Sequence, residues 1–447
     1  MKTIRIGSGA GYAGDRIEPA LELAQKGDIQ YLVFECLAER TIAIGQKHKK
    51  QNPEMGYNEL LADRMYAILP TCLEKGIKII TNMGSANPTA AGKRVLEIAR
   101  ELGAKQLKIA VITGDDVHPV LIQTDAILDD IGKPISSCGK EILSANAYMG
   151  ADAMVQALRD GADIIIAGRV SDPSLFLAPM MYEFNWAADD WEHLGKGTCL
   201  GHLLECAGQI TGGYYADPGF KDIPHLERLG FPVAEIDENG DAIITKVQGS
   251  GGRVCVDTCK EQMLYEIHRP DSYITPDVVA DFTAVTFTQV GEDCVRVQGA
   301  TGLARTDTLK VSVGYLDGFI GEGEISYAGP GAVARGRLAL DVVKGRFELC
   351  GFVPSEVRFD LIGIDALHGT RLSQSSEPYE VRARVAARCA TRAEAVKVGN
   401  EVETLYTNGP AGGGGVNKGV KEILAMDSTL LARDRVTPMI NYLEINS

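Results

Sequence analysis

The feature that most constrains the fold is an alternation of short apolar segments with amphipathic helical segments in the first half of the chain. The helical segments carry apolar residues at positions i, i+3 and i+4, which is the spacing of a helix with one buried face. Because strands that alternate with helices usually pair in parallel, this half predicts an α/β fold with a doubly wound, mostly parallel, Rossmann-like sheet. The predicted strands span residues 3–9, 31–36, 78–83, 108–114 and 163–169.

The pattern changes after residue 273, where alternating apolar and polar residues separated by hairpin turns become common. Such alternation is typical of antiparallel strands with one buried face. A chain of 447 residues is long enough for two domains. We therefore predict an α/β domain over residues 1–273 and a smaller α+β domain of mixed and antiparallel strands over residues 274–447, which carries a glycine-rich loop at 409–419.

The charge balance argues against nucleic acid as a partner. The chain has 45 Lys and Arg residues against 60 Asp and Glu residues, for a formal net charge of −15, which repels a phosphate backbone. Neither a signal peptide nor an apolar run of membrane-spanning length is evident. We expect a cytoplasmic protein without membrane insertion and, as is common for enzymes of this size, a homo-oligomer.

Polar and charged residues follow each predicted strand of the first half. Ligands of open parallel sheets bind beyond the carboxyl ends of the strands, so these residues are the candidate site. Three carboxylates are predicted to be catalytic, as proton-transfer groups: Asp15, Glu35 and Asp172. Seven residues are predicted to bind substrate: Gly11, Tyr12, Arg16, Asn82, Asn87, Arg169 and Arg253. For each single residue a structural role, such as a helix cap, is an equal alternative.

The first of these loops, residues 7–16, contains a G-x-G-x-x-G pattern between Gly9 and Gly14. After a strand, that pattern is typical of Rossmann-like dinucleotide binding, so an NAD(P)-dependent oxidoreductase is an alternative function. Against it, the bulky Tyr12 and the charged Asp15–Arg16 pair occupy positions that a diphosphate would approach. The loop is better interpreted as presenting side chains to a small ligand.

A cofactor is not defined by the sequence. Five strand-end acids have the oxygen ligands that a divalent cation prefers, but their spacing is too dispersed to assign a metal site: Asp15, Glu35, Asp115, Asp116 and Asp172. The ten cysteines include no C-x-x-C pair. His118 and His202 are further acid–base candidates. The loop at 409–419 is either an anion-binding backbone nest or a mobile loop.

Several long segments together resemble the acyclic terpene utilisation (AtuA) family: IGSGAGYAGDRIEPALELA, YLVFECLAERT, TNMGSANPTAAG, IIIAGRVSDPSLFLAP, GSGGRVCVDTCKEQMLYEI and GPAGGGG. The resemblance covers essentially the whole chain. It implies a role in the catabolism of terpenoids, whose later steps act on acyl-CoA thioesters, with CoA as part of the substrate. It supplies no catalytic residues, so the candidate site depends on the strand-end argument.

The sequence therefore predicts a catabolic enzyme that acts on a small organic acid or its acyl-CoA thioester by hydratase/lyase or isomerase chemistry. Such reactions need a positioned base and a cationic clamp for the carboxylate or thioester. Two alternatives stay open, namely the NAD(P)-dependent oxidoreductase and a non-catalytic subunit or binding protein of a catabolic complex.

Overall fold

A computed structural model describes residues 2–373 and 377–446 of the chain. The fold divides into two compact units. The first unit comprises Met1–Gly314 and Met426–Ser447, and the second unit comprises Tyr315–Ala425. None of the helices within the described ranges has both the length and the apolar character needed to cross a membrane.

The first part of the chain alternates strands and helices, as its hydrophobic periodicity predicts. In chain order, the elements are β1 (Thr3–Ala10), α1 (Glu18–Lys26), β2 (Tyr31–Phe34), α2 (Glu39–Gln51), α3 (Leu61–Lys75), β3 (Lys78–Thr81), α4 (Pro88–Glu101), β4 (Leu107–Thr113), α5 (His118–Leu121), β5 (Glu141–Ala147), α6 (Asp152–Arg159), β6 (Ile164–Ala167), α7 (Asp172–Phe184) and α8 (Trp191–Glu205).

Short strands dominate the remainder of the chain, with fewer helices. The elements are β7 (Pro232–Asp237), β8 (Ala242–Lys246), α9 (Val256–Leu264), β9 (Tyr273–Ile274), β10 (Val279–Asp281), β11 (Thr286–Gly291), β12 (Cys294–Gln298), β13 (Thr301–Leu303), β14 (Thr308–Ala328), α10 (Ala332–Leu349), β15 (Glu356–Ile362), α11 (Thr370–Ser373), β16 (Glu380–Cys389), α12 (Arg392–Glu403), α13 (Leu405–Asn408), β17 (Gly414–Ala432) and β18 (Met439–Ile445).

The first unit contains a ten-stranded sheet with the order β11-β12-β8-β7-β1-β2-β3-β6-β4-β18. Strands β1, β2, β3, β6 and β4 pair in parallel, which confirms the predicted parallel pairing for these five strands. The strands on both sides of them pair antiparallel. The sheet is therefore mixed rather than mostly parallel, and the protein is of the mixed α/β class.

The parallel strands are mainly apolar, and their apolar residues point to both faces because both faces of the sheet are covered. Alternate residues of β6 show this most simply. Ile165 and Ala167 belong to one hydrophobic core, and Ile164 and Ile166 belong to the core on the opposite face. The carboxyl ends of the five parallel strands consequently meet at one edge between two packed layers, which is where ligands of such sheets bind.

The second unit contains a sheet of order β15-β16-β14-β17, and its central strand β16 alternates between apolar residues and arginines. The apolar residues form one core with helices α10 and α12. On the other face, arginines pair with acids across the antiparallel ladder; for example, Arg382 Nε lies 2.6 Å from Glu324 Oε2. Within the predicted loop at 409–419, Gly414 to Gly419 form the beginning of β17.

We expect Ile165→Ala to lower the free energy of unfolding of the first unit by about 2–5 kcal/mol, because it deletes a side chain that is 1% exposed from the centre of the sheet. The more conservative Ile165→Val should cost about 0.5–1.5 kcal/mol. Urea denaturation followed by circular dichroism measures both values. The matched control is Leu264→Ala on α9, a position that is 72% exposed, where a change within about 0.5 kcal/mol is expected.

Candidate functional site

Arg169 lies at the centre of the strand-end region, two residues after β6, and its side chain is 1% exposed. Its Nε donates a hydrogen bond to the carbonyl oxygen of Val170 at 2.8 Å. Nη1 donates to the carbonyl oxygen of Leu37, beyond the end of β2, and Nη2 donates to the carboxylate of Asp172. This one guanidinium therefore fixes the segments that follow β2 and β6 against each other.

Asp172 is the first residue of α7, and Pro173 follows it at a position where proline favours the start of a helix. Its side chain is 35% exposed, whereas the guanidinium that holds it is buried. Asp172 faces a cavity of about 300 Å³, here called the Asp172 cavity. The cavity lies wholly within the first unit and is lined by Tyr148, Ser171, Asp172, Pro173, Tyr273, Ile274, Thr275, Pro276, Thr306, Thr308, Leu309, Lys310 and Leu430.

Glu35 follows β2 and is clamped by its neighbours. Its Oε1 accepts hydrogen bonds from the main-chain N–H of Leu37 at 2.8 Å and from Nδ2 of Asn82 at 2.9 Å. The Oδ1 of Asn82 in turn accepts from the N–H of Cys36 at 2.7 Å. Asn82 is fully buried, so it holds the turn after β2 in one conformation.

The carboxylates of Glu35 and Asp172 both lie in surroundings that favour the protonated form. Burial raises the pKa of Glu35 well above its usual range, and the Asp172 carboxylate adds to this, while Arg169 opposes it. Burial also raises the pKa of Asp172; Arg169 opposes the rise, and the charges of Glu266 and Glu39 add to it. Carboxyl groups with raised pKa values are characteristic of acid–base sites.

The lining of the Asp172 cavity also includes a cation, Lys310. Lys310 Nζ lies 2.7 Å from Glu39 Oε1, and the hydroxyl of Tyr148 donates to the same oxygen at 2.9 Å. Burial opposes ionisation of Glu39, but Lys310 and Tyr148 lower its pKa overall. The Tyr148 ring also lies against the guanidinium of Arg169, with the Arg169 Cζ 4.5 Å from the ring centroid.

A buried histidine–glutamate pair lies close enough to the site to interact electrostatically with Asp172. His202 Nδ1 is 2.8 Å from Glu205 Oε1, and its Nε2 is 3.3 Å from the carbonyl oxygen of Met263. Burial disfavours the charged imidazole, but Glu205 reverses this and raises the pKa of His202. Burial raises the pKa of Glu205 to about 7. Since both ring nitrogens face acceptors, the geometry favours the doubly protonated imidazole.

Asp115 follows β4 and supports the Arg169 segment. Its Oδ2 accepts hydrogen bonds from Nδ2 of Asn146 and from the main-chain N–H of Arg169, both at 2.9 Å. The side chain is 4% exposed. Burial raises the pKa of Asp115 to about 6, because these hydrogen bonds offset only part of the cost of burying its charge.

Of the sequence-predicted residues, the structure brings Glu35, Asn82, Arg169 and Asp172 together. The loop after β1 is organised differently. Asp15 does not join this cluster, because its Oδ2 accepts from the N–H of Gly11 at 2.9 Å within its own loop. Gly11 packs so closely on the main chain of Cys206 that a Cβ there would lie 2.4 Å from the Cys206 carbonyl carbon.

Four residues that were predicted to bind substrate either lie outside this cluster or have a structural role. Tyr12 is 61% exposed, and exposed Arg16 donates to the carbonyl oxygen of Leu226 at 2.9 Å. Asn87 caps α4, since its Oδ1 accepts from the N–H of Ala90, and its Nδ2 donates to two main-chain carbonyls. Arg253 is exposed, and its main-chain N–H donates to Thr211. The contacts of Asn87 are those of a helix cap, which was the structural alternative to substrate binding.

The residues that sequence reasoning missed are Tyr148, Tyr273 and Lys310. Lys310 lies in the first part of β14, far along the chain from the strand ends, and Tyr148 directly follows β5. Neither residue belongs to a motif or follows one of the parallel strands, so no local signal identified them. Their position depends on tertiary contacts, such as the hydrogen bond from the N–H of Tyr148 to the Lys310 carbonyl.

The geometry of residues 7–16 also bears on cofactors. The helix after this loop begins only at Glu18, and the N–H of Gly11 is already bonded to Asp15. A dinucleotide loop instead offers free N–H groups at a helix start.

Over residues 2–373 and 377–446, no group of three or more His, Cys, Asp or Glu side chains has an arrangement that could hold a metal ion.

Comparison with known protein families identified a match over nearly the whole chain. The family described as "Acyclic terpene utilisation family protein AtuA" has a sequence model that matches residues 4–442, which is nearly the whole chain. No curated protein and no solved structure matches the chain.

We expect Asp115→Asn to make stability less dependent on pH between about pH 4 and pH 6. The pKa of Asp115 is about 6 in the native state and about 3.9 in an unfolded chain. Between these values the native state binds more protons, so stability falls as pH rises, by about 1.4 kcal/mol per pH unit from this group. Asparagine keeps the acceptor oxygen and removes this dependence.

Urea denaturation at half-unit intervals from about pH 4.5 to pH 7.5 measures the effect, since this range spans the native pKa. The control is Asp434→Asn, which changes an exposed carboxylate of the same unit and should leave the slope unchanged. An Asp115→Asn protein with the slope of the unmodified protein would contradict the raised pKa.

Proposed function

The chain belongs to the acyclic terpene utilisation family, and we propose that it is a catabolic enzyme that transfers a proton on a small organic acid or on its acyl-CoA thioester. The observation that carries this proposal is the Asp172 carboxylate at the wall of a cavity, held from behind by the buried guanidinium of Arg169. A base needs this combination of a fixed position and access to the substrate.

The electrostatic surroundings support a proton-transfer role for Asp172. Efficient acid–base groups have pKa values that approach the working pH, and burial moves the pKa of Asp172 upward in that direction. Glu35 lies behind it with a raised pKa of its own. A neighbouring carboxylate disfavours ionisation of a second carboxyl group, and Asp172 has this effect on Glu35, so Glu35 is the proposed partner that keeps a proton available.

Lys310 is the proposed anion-binding group. It lines the same cavity as Asp172, and its side chain is half exposed. Removal of a proton next to a carboxyl or thioester carbonyl places negative charge on the carbonyl oxygen, and a fixed cation stabilises that charge. Tyr148 holds Glu39, and Glu39 in turn orients the Lys310 ammonium.

The reaction class that fits these groups is hydratase/lyase or isomerase chemistry. In a lyase reaction, the base removes a proton from the carbon next to the carbonyl, the acid protonates the hydroxyl group on the neighbouring carbon, and water leaves as the C=C bond forms. In an isomerase reaction, the proton returns to a different carbon and the double bond shifts. Both need one base, one acid and one anion-binding group. A volume of about 300 Å³ lies at the lower end of the range for small-molecule sites, which suits a short acid or the acyl end of a thioester.

We expect Asp172→Asn to lower the rate of substrate proton exchange by about 10²–10⁴-fold. The assay follows deuterium uptake from D2O, by mass spectrometry, into a panel of branched and unsaturated acids and their CoA thioesters. Exchange reports proton removal directly, so the final product need not be identified. Asparagine keeps an oxygen that accepts from Arg169 but removes its counter-charge, so the melting temperature should fall while the protein stays folded, and circular dichroism at the assay temperature verifies this.

The control for this substitution is Asp271→Asn, which alters an exposed carboxylate paired with Arg269 and should exchange at the normal rate. If the unmodified protein catalyses no exchange with any member of the panel, the enzymatic proposal fails and the non-catalytic alternative is favoured. Full exchange activity in a folded Asp172→Asn protein would exclude Asp172 as the base.

We expect Lys310→Met to reduce kcat/KM by about 10–100-fold, on the order of 1.4–2.7 kcal/mol of transition-state stabilisation, because the cation that faces the developing charge is lost. Steady-state kinetics on whichever acid or thioester shows exchange gives the value. Lys260→Met removes an exposed lysine from α9 of the same unit and serves as the matched control. Unchanged kinetics in Lys310→Met would remove this residue from the proposed mechanism.

A further inference from the structure

A second cavity, of about 440 Å³, lies beside the loops that follow β1, β2 and β3. We call it the Arg64 cavity, after the residue directly behind its wall. It lies within the first unit, and none of the residues that line it also lines the Asp172 cavity. Helix α2 forms one side, through a face that includes Ile44 and His48.

Arg64, on α3, is fully buried, and its guanidinium contacts three residues that line this cavity. Nη1 lies 3.3 Å from the carbonyl oxygen of Ala13, 3.3 Å from Oδ1 of Asn58 and 3.2 Å from Sγ of Cys36. All three residues line the cavity. Nη2 donates to the carbonyl oxygen of Asp15 at 3.0 Å. Each of these acceptors is an uncharged group.

The positive charge of Arg64 is therefore not balanced by a direct partner. In the part of the chain that the structure describes, Arg64 forms no ion pair, and its buried Nε has no hydrogen-bond partner. A buried charge without a counter-charge is strongly unfavourable. Charges also interact over longer distances in a protein interior than in water, so an anion in the adjacent cavity would offset this charge.

The cavity wall supplies both polar and apolar contacts. The imidazole of His48 and the hydroxyl of Ser85 line it, and neither has a side-chain hydrogen-bond partner among the described residues. Ser85 also has a φ of 49°, in the left-handed region that non-glycine residues adopt at a cost. Leu37, Ile44 and Leu60 provide an apolar surface.

We propose that the Arg64 cavity is a separate binding site for an aliphatic monocarboxylate. The carboxylate accepts hydrogen bonds from His48 and Ser85, the Arg64 charge lies behind the wall, and the aliphatic chain lies against the apolar surface. No residue lines both cavities, so the proposed ligand is a second molecule that binds without the reaction at Asp172.

Isothermal titration calorimetry with octanoate, on the full-length protein at constant ionic strength, tests this site. We expect saturable binding of octanoate and at least tenfold weaker binding of methyl octanoate, which has the same chain without the charge. Ile44→Glu places a negative charge at the cavity and should weaken octanoate binding at least tenfold. Ile44→Gln loses the same apolar contact without adding a charge, so it should bind octanoate at least threefold more tightly than Ile44→Glu does.

Arg64→Met removes the charge and keeps a long side chain, and it should also weaken octanoate binding at least tenfold. If that variant fails to fold, the pair of Ile44 variants, at a partly exposed position, still decides the question. Equal affinity for octanoate and its methyl ester, no binding of either, or binding that Ile44→Glu leaves unchanged would overturn the proposal. Binding should persist in Asp172→Asn; its loss there would place the octanoate in the Asp172 cavity instead.

Discussion

The strand-end region depends on the buried guanidinium of Arg169. It joins the segments after β2 and β6, which are separated in the sheet by β3, and it presents the Asp172 carboxylate to a cavity. A buried cation is tolerated only when its donors are satisfied, and removal of one partner of such a pair costs several kcal/mol. The same contact that stabilises this edge of the sheet therefore also fixes the position of the proposed base.

Hydrophobic periodicity predicted the central part of the fold well. The five parallel strands lie within a few residues of their predicted positions because each is a short apolar run between a turn and an amphipathic helix. The antiparallel strands on both sides were not predicted to extend this sheet. Strand β18, for example, pairs with β4 across more than three hundred residues, and its sequence, MINYLEI, identifies a strand without identifying its partner.

The candidate site was predictable only in part, because the sequence indicates which residues follow a strand but not which contacts their side chains make. Residues that directly follow parallel strands share an edge, so the convergence of Glu35, Asn82, Arg169 and Asp172 follows from topology. Whether a side chain turns toward a ligand or toward its own loop is decided by local hydrogen bonds, as with Asp15 and Gly11. Arg64 was missed because a buried arginine within a helix has no sequence signature. Its lack of a directly bonded carboxylate is evident only from the uncharged acceptors that its guanidinium contacts.

The chain leaves the first unit at Gly314 and returns to it at Met426, so the second unit interrupts the first in sequence. During synthesis, the segment that pairs with β4 is made only after the entire second unit. Until then, one side of a buried parallel strand has no hydrogen-bonding neighbour, and open strand edges favour association with other chains.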